Sequence, residues 1–393
     1  MSKKYEDVII NYIMLALVSL NIFSRGSIVL VLFCVLNLFY IKSVKFTFEG
    51  MLFIFMSFAI IASVSMFGNA GWGTELIKAF NYSLPYIVGY CGYLKAENKE
   101  KYMRRTLFAI FAGYFLQILI TYIQNMQTGI ENRIIINIWT GEEVAATLVG
   151  LLSAYVIAYS VSNLLYSPGA FSKISSAVGL VSVILINMQT ATRTPFILII
   201  MLVAVLLLLG FAANENKNYG HLLTFAFLAI LLFFLFELDL FGVKTAVINS
   251  PLMQRFEQEG METTRGEIAK KYFEQMFIYP WGGMKAFEIV GNNAHNLWQQ
   301  VYDLYGVFSA LFLVIVTIFI LVKFLQLIFI KHKTSLEYTL ISIYLIILTQ
   351  MLLEPVATGY PILFWTFLLV HGMTTGYYKD RATTLISERD NVR

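Results

Sequence analysis

GNNAHNLWQQVYDLYGVFSALFLVIV, residues 291–316, decides how this chain folds. It opens polar, passes His295 and Asn296, and then becomes apolar without interruption or alternation. An apolar run that does not alternate is helical rather than extended. One of about 20 residues matches the hydrocarbon core of a bilayer. Similar runs recur along the 393 residues. Composition agrees: 58% of residues are hydrophobic and 13% charged, with a mean hydropathy of +0.71. A soluble domain carries about 25% charged residues. Backbone facing lipid has to satisfy its own hydrogen bonds, so such runs predict spanning helices.

The expectation is an all-α polytopic membrane protein with about twelve spans, near 8–23, 26–41, 51–67, 76–93, 106–123, 143–166, 172–190, 195–212, 221–240, 303–330, 336–353 and 360–378. Lys78, Asn81 and Pro85 interrupt the fourth. No repeat or soluble domain is visible, so residues 1–393 read as one transmembrane domain with a long loop, 241–302, between spans nine and ten. Cys34 and Cys91 fall in apolar segments and suggest neither a disulfide framework nor a zinc site. The first apolar segment lacks a small-residue cleavage site and reads as a span rather than a cleaved signal.

Lysine and arginine concentrate in cytoplasmic loops. With an even number of spans and a cytoplasmic N-terminus, the inside segments collect Lys42, Lys45, Lys95, Lys99, Lys101, Arg104, Arg105, Lys331, Lys333 and the basic C-terminus, while the short outside loops hold Arg25, Arg133 and Arg193. Both termini are then cytoplasmic. Arg193, the 241–302 loop with His295, Glu142, Glu143 and Glu354 share the outer face.

In TATRTPFILII, residues 190–200, Pro195 suits the first turn of a helix and Thr194 its N-cap. Arg193 then lies beside a helix N-terminus, whose free N–H groups and partial positive charge favour an anion. In METTRGEIAKKYFEQMFIYPWGG, residues 261–283, Thr264 and Glu267 form a capping box. Apolar residues at 268, 272, 273, 276 and 277 follow at helical spacing, and Pro280 with Gly282-Gly283 ends the segment. This reads as an amphipathic helix on the outer membrane surface, with Arg265 in its first turn. His295 offers an imidazole that can take a proton near neutral pH, and Asn296 could orient it or bind a sugar hydroxyl. Each has a plain structural alternative: Arg193 as a headgroup anchor, Arg265 as a solvated charge beside Glu262 or Glu267, and His295 as an interfacial histidine. Glu143 completes a second capping box from Thr140. Glu354 ends the eleventh span, where a carboxylate is costly unless paired. Asp303 lies eight residues after His295, near the same helix face. Trp281 and Trp298 flank the outer region and could stack on sugar rings. His221, His332 and His371 carry no catalytic expectation.

Taken together, Thr192-Arg193-Thr194-Pro195, Thr264-Arg265-Gly266 followed by Tyr-Pro-Trp-Gly-Gly, and Ala294-His295-Asn296 leading to Gly306 resemble the O-antigen polymerase and ligase superfamily of bacterial polysaccharide assembly. The motifs keep the family's order over about 190–310, and the span pattern extends the likeness to the whole chain. Two positions depart from it: Gln299 stands where many members have leucine, and Asp303 lies farther from the glycine. The resemblance implies a metal-independent glycosyltransferase of the cytoplasmic membrane, without cofactor, acting at the outer face of that membrane on undecaprenyl-pyrophosphate-linked oligosaccharides. His295 would be the base, Arg193 and Arg265 would bind the diphosphate, and Asn296, Glu354, Asp303 and Glu143 would support them. Its partners would be the lipid-linked donor and acceptor and the bilayer, with a chain-length regulator and a flippase as pathway neighbours and no nucleic acid. A repeat-unit polymerase is the first reading, a ligase-type transfer the alternative. A transporter or flippase is the rival from another class. Transporters place polar residues at midplane on broken, repeated helices, whereas the polar candidates here gather at one face.

Overall fold

The structure, a computed structural model, describes residues 5–41, 43–67, 72–128, 133–213, 237–239, 243–259 and 265–391. The expected ninth span, 221–240, lies almost wholly outside them, as does Thr264 of the capping box. The chain divides into two compact units: unit one holds Met1–Tyr114, Thr264–Leu325 and Ile347–Arg393, and unit two Phe115–Thr263 and Gln326–Ile346.

The helices are α1 (Ile9–Ser19), α2 (Gly26–Ile41), α3 (Phe48–Phe67), α4 (Trp72–Asn81), α5 (Leu84–Lys95), α6 (Lys99–Thr128), α7 (Thr147–Tyr166), α8 (Ala170–Gln189), α9 (Thr194–Ala213), α10 (Val243–Ile248), α11 (Pro251–Glu259), α12 (Arg265–Met276), α13 (Lys285–Val290), α14 (Leu297–Ile328), α15 (Ser335–Leu353), α16 (Val356–Gly359) and α17 (Pro361–Asn391). Among the described residues seven, α3, α6, α7, α8, α9, α14 and α15, are long and apolar enough to cross a membrane, and α1 and α2 are apolar but shorter. The protein is thus helical and of the membrane-embedded kind.

The fourth expected span is two helices. α4 ends at Asn81 and α5 starts at Leu84, with Tyr82 and Ser83 between them. Pro85 has no N–H, and its ring collides with the carbonyl four residues back. Asn81 uses its side chain to donate to the Ser27 carbonyl at 3.1 Å.

In unit one α5 lies against α17. A Cβ on Gly89 would come within 2.1 Å of the Leu369 oxygen, and one on Gly372 within 2.1 Å of the Tyr86 oxygen. Small residues at such a crossing let helix backbones approach where the solvent gives no hydrophobic drive. Buried Glu49 at the start of α3 accepts hydrogen bonds from Tyr86 at 2.8 Å and Thr375 at 3.2 Å, with His371 Nε2 at 3.6 Å. The buried carboxylate is thereby hydrogen-bonded by two hydroxyls, as buried polar groups are.

In unit two α7 is the central helix, buried along most of its length and packed on α8 and α9. Asn187 of α8, fully buried, donates to Ser153 of α7 at 2.8 Å. Ahead of α7 comes the one departure from helix among these elements, an antiparallel hairpin of β1 (Ile134–Ile136) and β2 (Glu143–Ala145) in the register Ile135 with Val144. This corrects the capping box at Thr140–Glu143. Gly141, at φ +72, turns the chain, and β-branched residues favour pairing over helix. The helix begins only at Thr147.

α14 breaks at Gly306, whose φ of +83 and ψ of 173 only glycine adopts readily. The turn Pro280–Gly283 docks into the break: Val307 N–H donates to Pro280 O at 2.8 Å and Met284 N–H to Asp303 O at 2.7 Å. Beneath it, Ile268 and Tyr272 of α12, Ala286, Ala294, Tyr302 and Ala310 form a small core. The stripe of α12 therefore splits. Ile268, Tyr272 and Met276, four residues apart, face this core, while Phe273 and Phe277 are exposed.

Candidate functional site

The segment before α14 is fixed by its own side chains. Asn296 is the N-cap: its Oδ1 accepts the N–H of Gln299 at 2.9 Å, and its Nδ2 donates to Gln299 Oε1 at 2.6 Å. Gln299 also donates to the Ala269 carbonyl of α12 at 2.7 Å. Asparagine followed three residues later by glutamine is a capping pattern. The glutamine that departs from the resembled family thus ties Arg265's helix to the start of α14. Tyr272 adds a second tie, donating to Asn292 O at 2.9 Å.

Gln300, buried, bridges two segments of the chain. Its Nε2 donates to Ala294 O at 2.8 Å and to Thr358 Oγ1 at 3.1 Å, and its Oε1 accepts the Ala357 N–H at 2.8 Å. The residue before His295 and the turn after Glu354 are therefore held by one side chain. Nothing in the hydropathy pattern marks a glutamine for this role.

Arg265, in the first turn of α12, donates from Nη1 to Leu353 O at 2.7 Å and from Nη2 to Glu354 Oε1 at 3.4 Å. Glu354 is only 4% exposed, and a carboxylate so buried needs a cation near it. His295 is partly buried, and its Nδ1 has no hydrogen-bond partner among the described residues. Burial lowers its pKa, and the positive charge of Arg265 lowers it further, while Glu354 acts in the opposite sense. The imidazole is thereby kept neutral and able to accept a proton near neutral pH. A guanidinium, a carboxylate and a neutral imidazole, each from a different segment of unit one, act on one another here.

The other expected residues are placed differently. Asp303 is a cap rather than a neighbour of His295 in any hydrogen bond: its carboxylate accepts the Phe287 N–H at 3.1 Å, at the start of α13. Glu143 lies exposed in β2, in unit two. Trp298 donates its indole N–H to Thr317 at 3.0 Å, across the bend of α14, and Trp281 packs on Phe308 at 5.7 Å between ring centres. Arg193 belongs to unit two. Its carbonyl accepts the first α9 N–H groups, from Phe196 at 3.2 Å, and its Nη2 donates to Arg255 O at 2.8 Å. Arg255, which no motif had marked, returns a bond from Nη1 to Ala191 O at 2.9 Å.

Among the described residues no three His, Cys, Asp or Glu side chains gather as metal ligands. The unit-one constellation offers a proton acceptor beside a cation, which suits deprotonating a hydroxyl next to an anionic group. No protein-family model matches the chain, and no characterised protein matches it significantly.

Proposed function

We propose that this protein is a glycosyltransferase that joins undecaprenyl-pyrophosphate-linked oligosaccharide repeat units at the outer face of the cytoplasmic membrane, within a twelve-span topology. The observation that carries the reading is the grouping of Arg265 and buried Glu354 with His295. Neutral His295 takes the proton of an acceptor hydroxyl as that oxygen attacks the anomeric carbon of the donor. The bond from that carbon to the diphosphate oxygen breaks, and undecaprenyl pyrophosphate leaves with the electron pair. A direct displacement inverts the anomeric centre. Arg265 faces the charge that grows on the leaving group, a contact worth more in the transition state than in the ground state. Glu354 orients Arg265 and offsets its effect on His295.

Transport is favoured by a different observation, the break between α4 and α5, since unwound helices carry substrate sites in transporters. One assay separates the readings. Purified protein in lipid receives only lipid-linked repeat units, beside a His295→Ala control whose folding is checked by its melting curve. A polymerase gives a glycan ladder that the control lacks. No ladder from folded wild-type protein removes the polymerase reading, and single transfer to a different lipid-anchored sugar would mark a ligase.

A further inference from the structure

A cleft of about 380 Å³ opens within unit one, a size found for ligand sites. It is lined by α3, by Pro280 and Trp281 of the docked turn, and by α14 from Tyr305 onward. Ala59 and Ala62 keep the α3 side open. Phe55 is the first lining residue along α3 and Phe312 the last along α14, and their rings stack with centres 6.3 Å apart. That pair closes one end. The other end reaches Met66, the last residue of the apolar span Phe48–Met66. Three helical turns separate Phe55 from Met66, roughly 16 Å along the axis. The hydrocarbon core of a bilayer is about 30 Å thick. The cleft therefore runs from the end of a span to about mid-bilayer, the depth of one leaflet.

Its lining is apolar apart from two hydroxyls, and each has spent its one proton. Ser63 donates to the Trp281 carbonyl at 3.1 Å, which also ties the turn to α3, and Tyr305 donates to Glu75 at 2.9 Å. A cavity of this kind stays dry and takes apolar matter. Phe58, Met66 and Phe308 are exposed at its sides, so it opens laterally from the flanks of two spanning helices, where the surroundings are lipid chains. Polarity returns only at the Met66 end. There Glu75, the acceptor for Tyr305, pairs with Lys78 of α4 at 2.5 Å.

We propose that this cleft is a binding site for one acyl chain of a bilayer phospholipid, with the headgroup at the Lys78 end. Depth selects the occupant: an acyl chain reaches through one leaflet, as the cleft does, whereas a long polyisoprenoid would meet the closed end at Phe55 and Phe312. Trp281 suits the headgroup level, where indole rings concentrate. The chain packs against Pro280 and Trp281, so the lipid braces the turn docked into the break of α14. This site is separate from the transferase reading and stands or falls without it.

The test uses full-length protein in nanodiscs that contain phosphatidylglycerol with a diazirine at the end of one acyl chain. After illumination, labelled residues are located by peptide mass spectrometry. Label should concentrate at Phe55 and Phe312, above Ile318 and Leu321, which are exposed on α14 outside the cleft. Ala62→Phe fills the cleft and should abolish that excess, while Ile318 and Leu321 label as before. Ala59→Leu should lower the excess too, and serves if Ala62→Phe fails to fold by its melting curve. Even labelling of all exposed positions would mean ordinary bilayer contact only and overturn the site, as would an excess that survives in either folded variant. Undecaprenyl phosphate at equal mole fraction should leave the label in place. If it displaces the phospholipid, the occupant is an isoprenoid chain and the acyl-chain assignment is overturned.

Discussion

The side-chain oxygen of Gln300 accepts the backbone N–H of Ala357 at 2.8 Å, while its nitrogen holds the carbonyl of Ala294 at the same distance. This couples the residue before His295 to the turn after Glu354. Gln300→Leu keeps the volume and removes the bonds. Each buried backbone group left unpaired costs about 1–3 kcal/mol, so the variant should melt at lower temperature. With the base displaced, kcat should fall more than KM rises. A Gln300→Leu protein with wild-type melting and a wild-type kcat would show that the bridge does not position His295.

The pH profile tests the electrostatics. His295 must be neutral to act as a base, so kcat/KM should fall as the solution becomes more acidic than its pKa, which burial and Arg265 place below the ordinary 6.5. Arg265→Gln removes a positive charge that opposes the imidazolium. The pKa then rises, and the acid limb of the residual activity should move to higher pH. A limb that stays in place would mean that the Arg265 charge is not felt at His295.

Gly306 and Gly291 make a paired experiment. Both have positive φ, +83 and +73. A Cβ at Gly306 would lie 2.8 Å from Pro280 O, whereas one at Gly291 meets nothing within 4 Å. Gly291→Ala should cost only the left-handed strain, about 1–2 kcal/mol. Gly306→Ala adds a clash with the docked turn to a conformation nearly restricted to glycine, so it should melt well below Gly291→Ala and open the Pro280–Gly283 turn to proteolysis. Equal melting points would show that the docked turn yields freely.

How far these features were legible depends on which force sets them. The helix Gly26–Ile41 follows from an apolar run between Arg25 and Lys42, and the break before α5 from Pro85. Arg265, Glu354 and His295 are expected in one compartment from the count of charged loops, but not in one constellation, because Arg265 meets Leu353 and Glu354 through tertiary bonds between residues far apart in the chain. The hairpin before α7 was hidden because three-residue strands are too short for a period of two to register, and Thr140–Glu143 imitates a helix start. Gln300 was invisible for a different reason: two of its three partners are backbone atoms, which carry no residue identity.

Asp303 is where the family likeness and the structure pull apart, and it can be tested cleanly. The likeness makes its carboxylate a helper of His295. In the structure the carboxylate accepts the Phe287 N–H at 3.1 Å, and the residue's own carbonyl accepts the Met284 N–H at 2.7 Å. Both bonds hold α13 and the docked turn. Asparagine retains the accepting oxygen and loses the charge, so Asp303→Asn should keep the wild-type rate and pH profile. Asp303→Ala should lower stability by about 1 kcal/mol through the lost cap. Removing a true general acid or base costs about 10²–10⁴ in rate. A loss of that size in Asp303→Asn, measured in protein with an unchanged melting curve, would return Asp303 to the chemistry and make its place at α13 incidental.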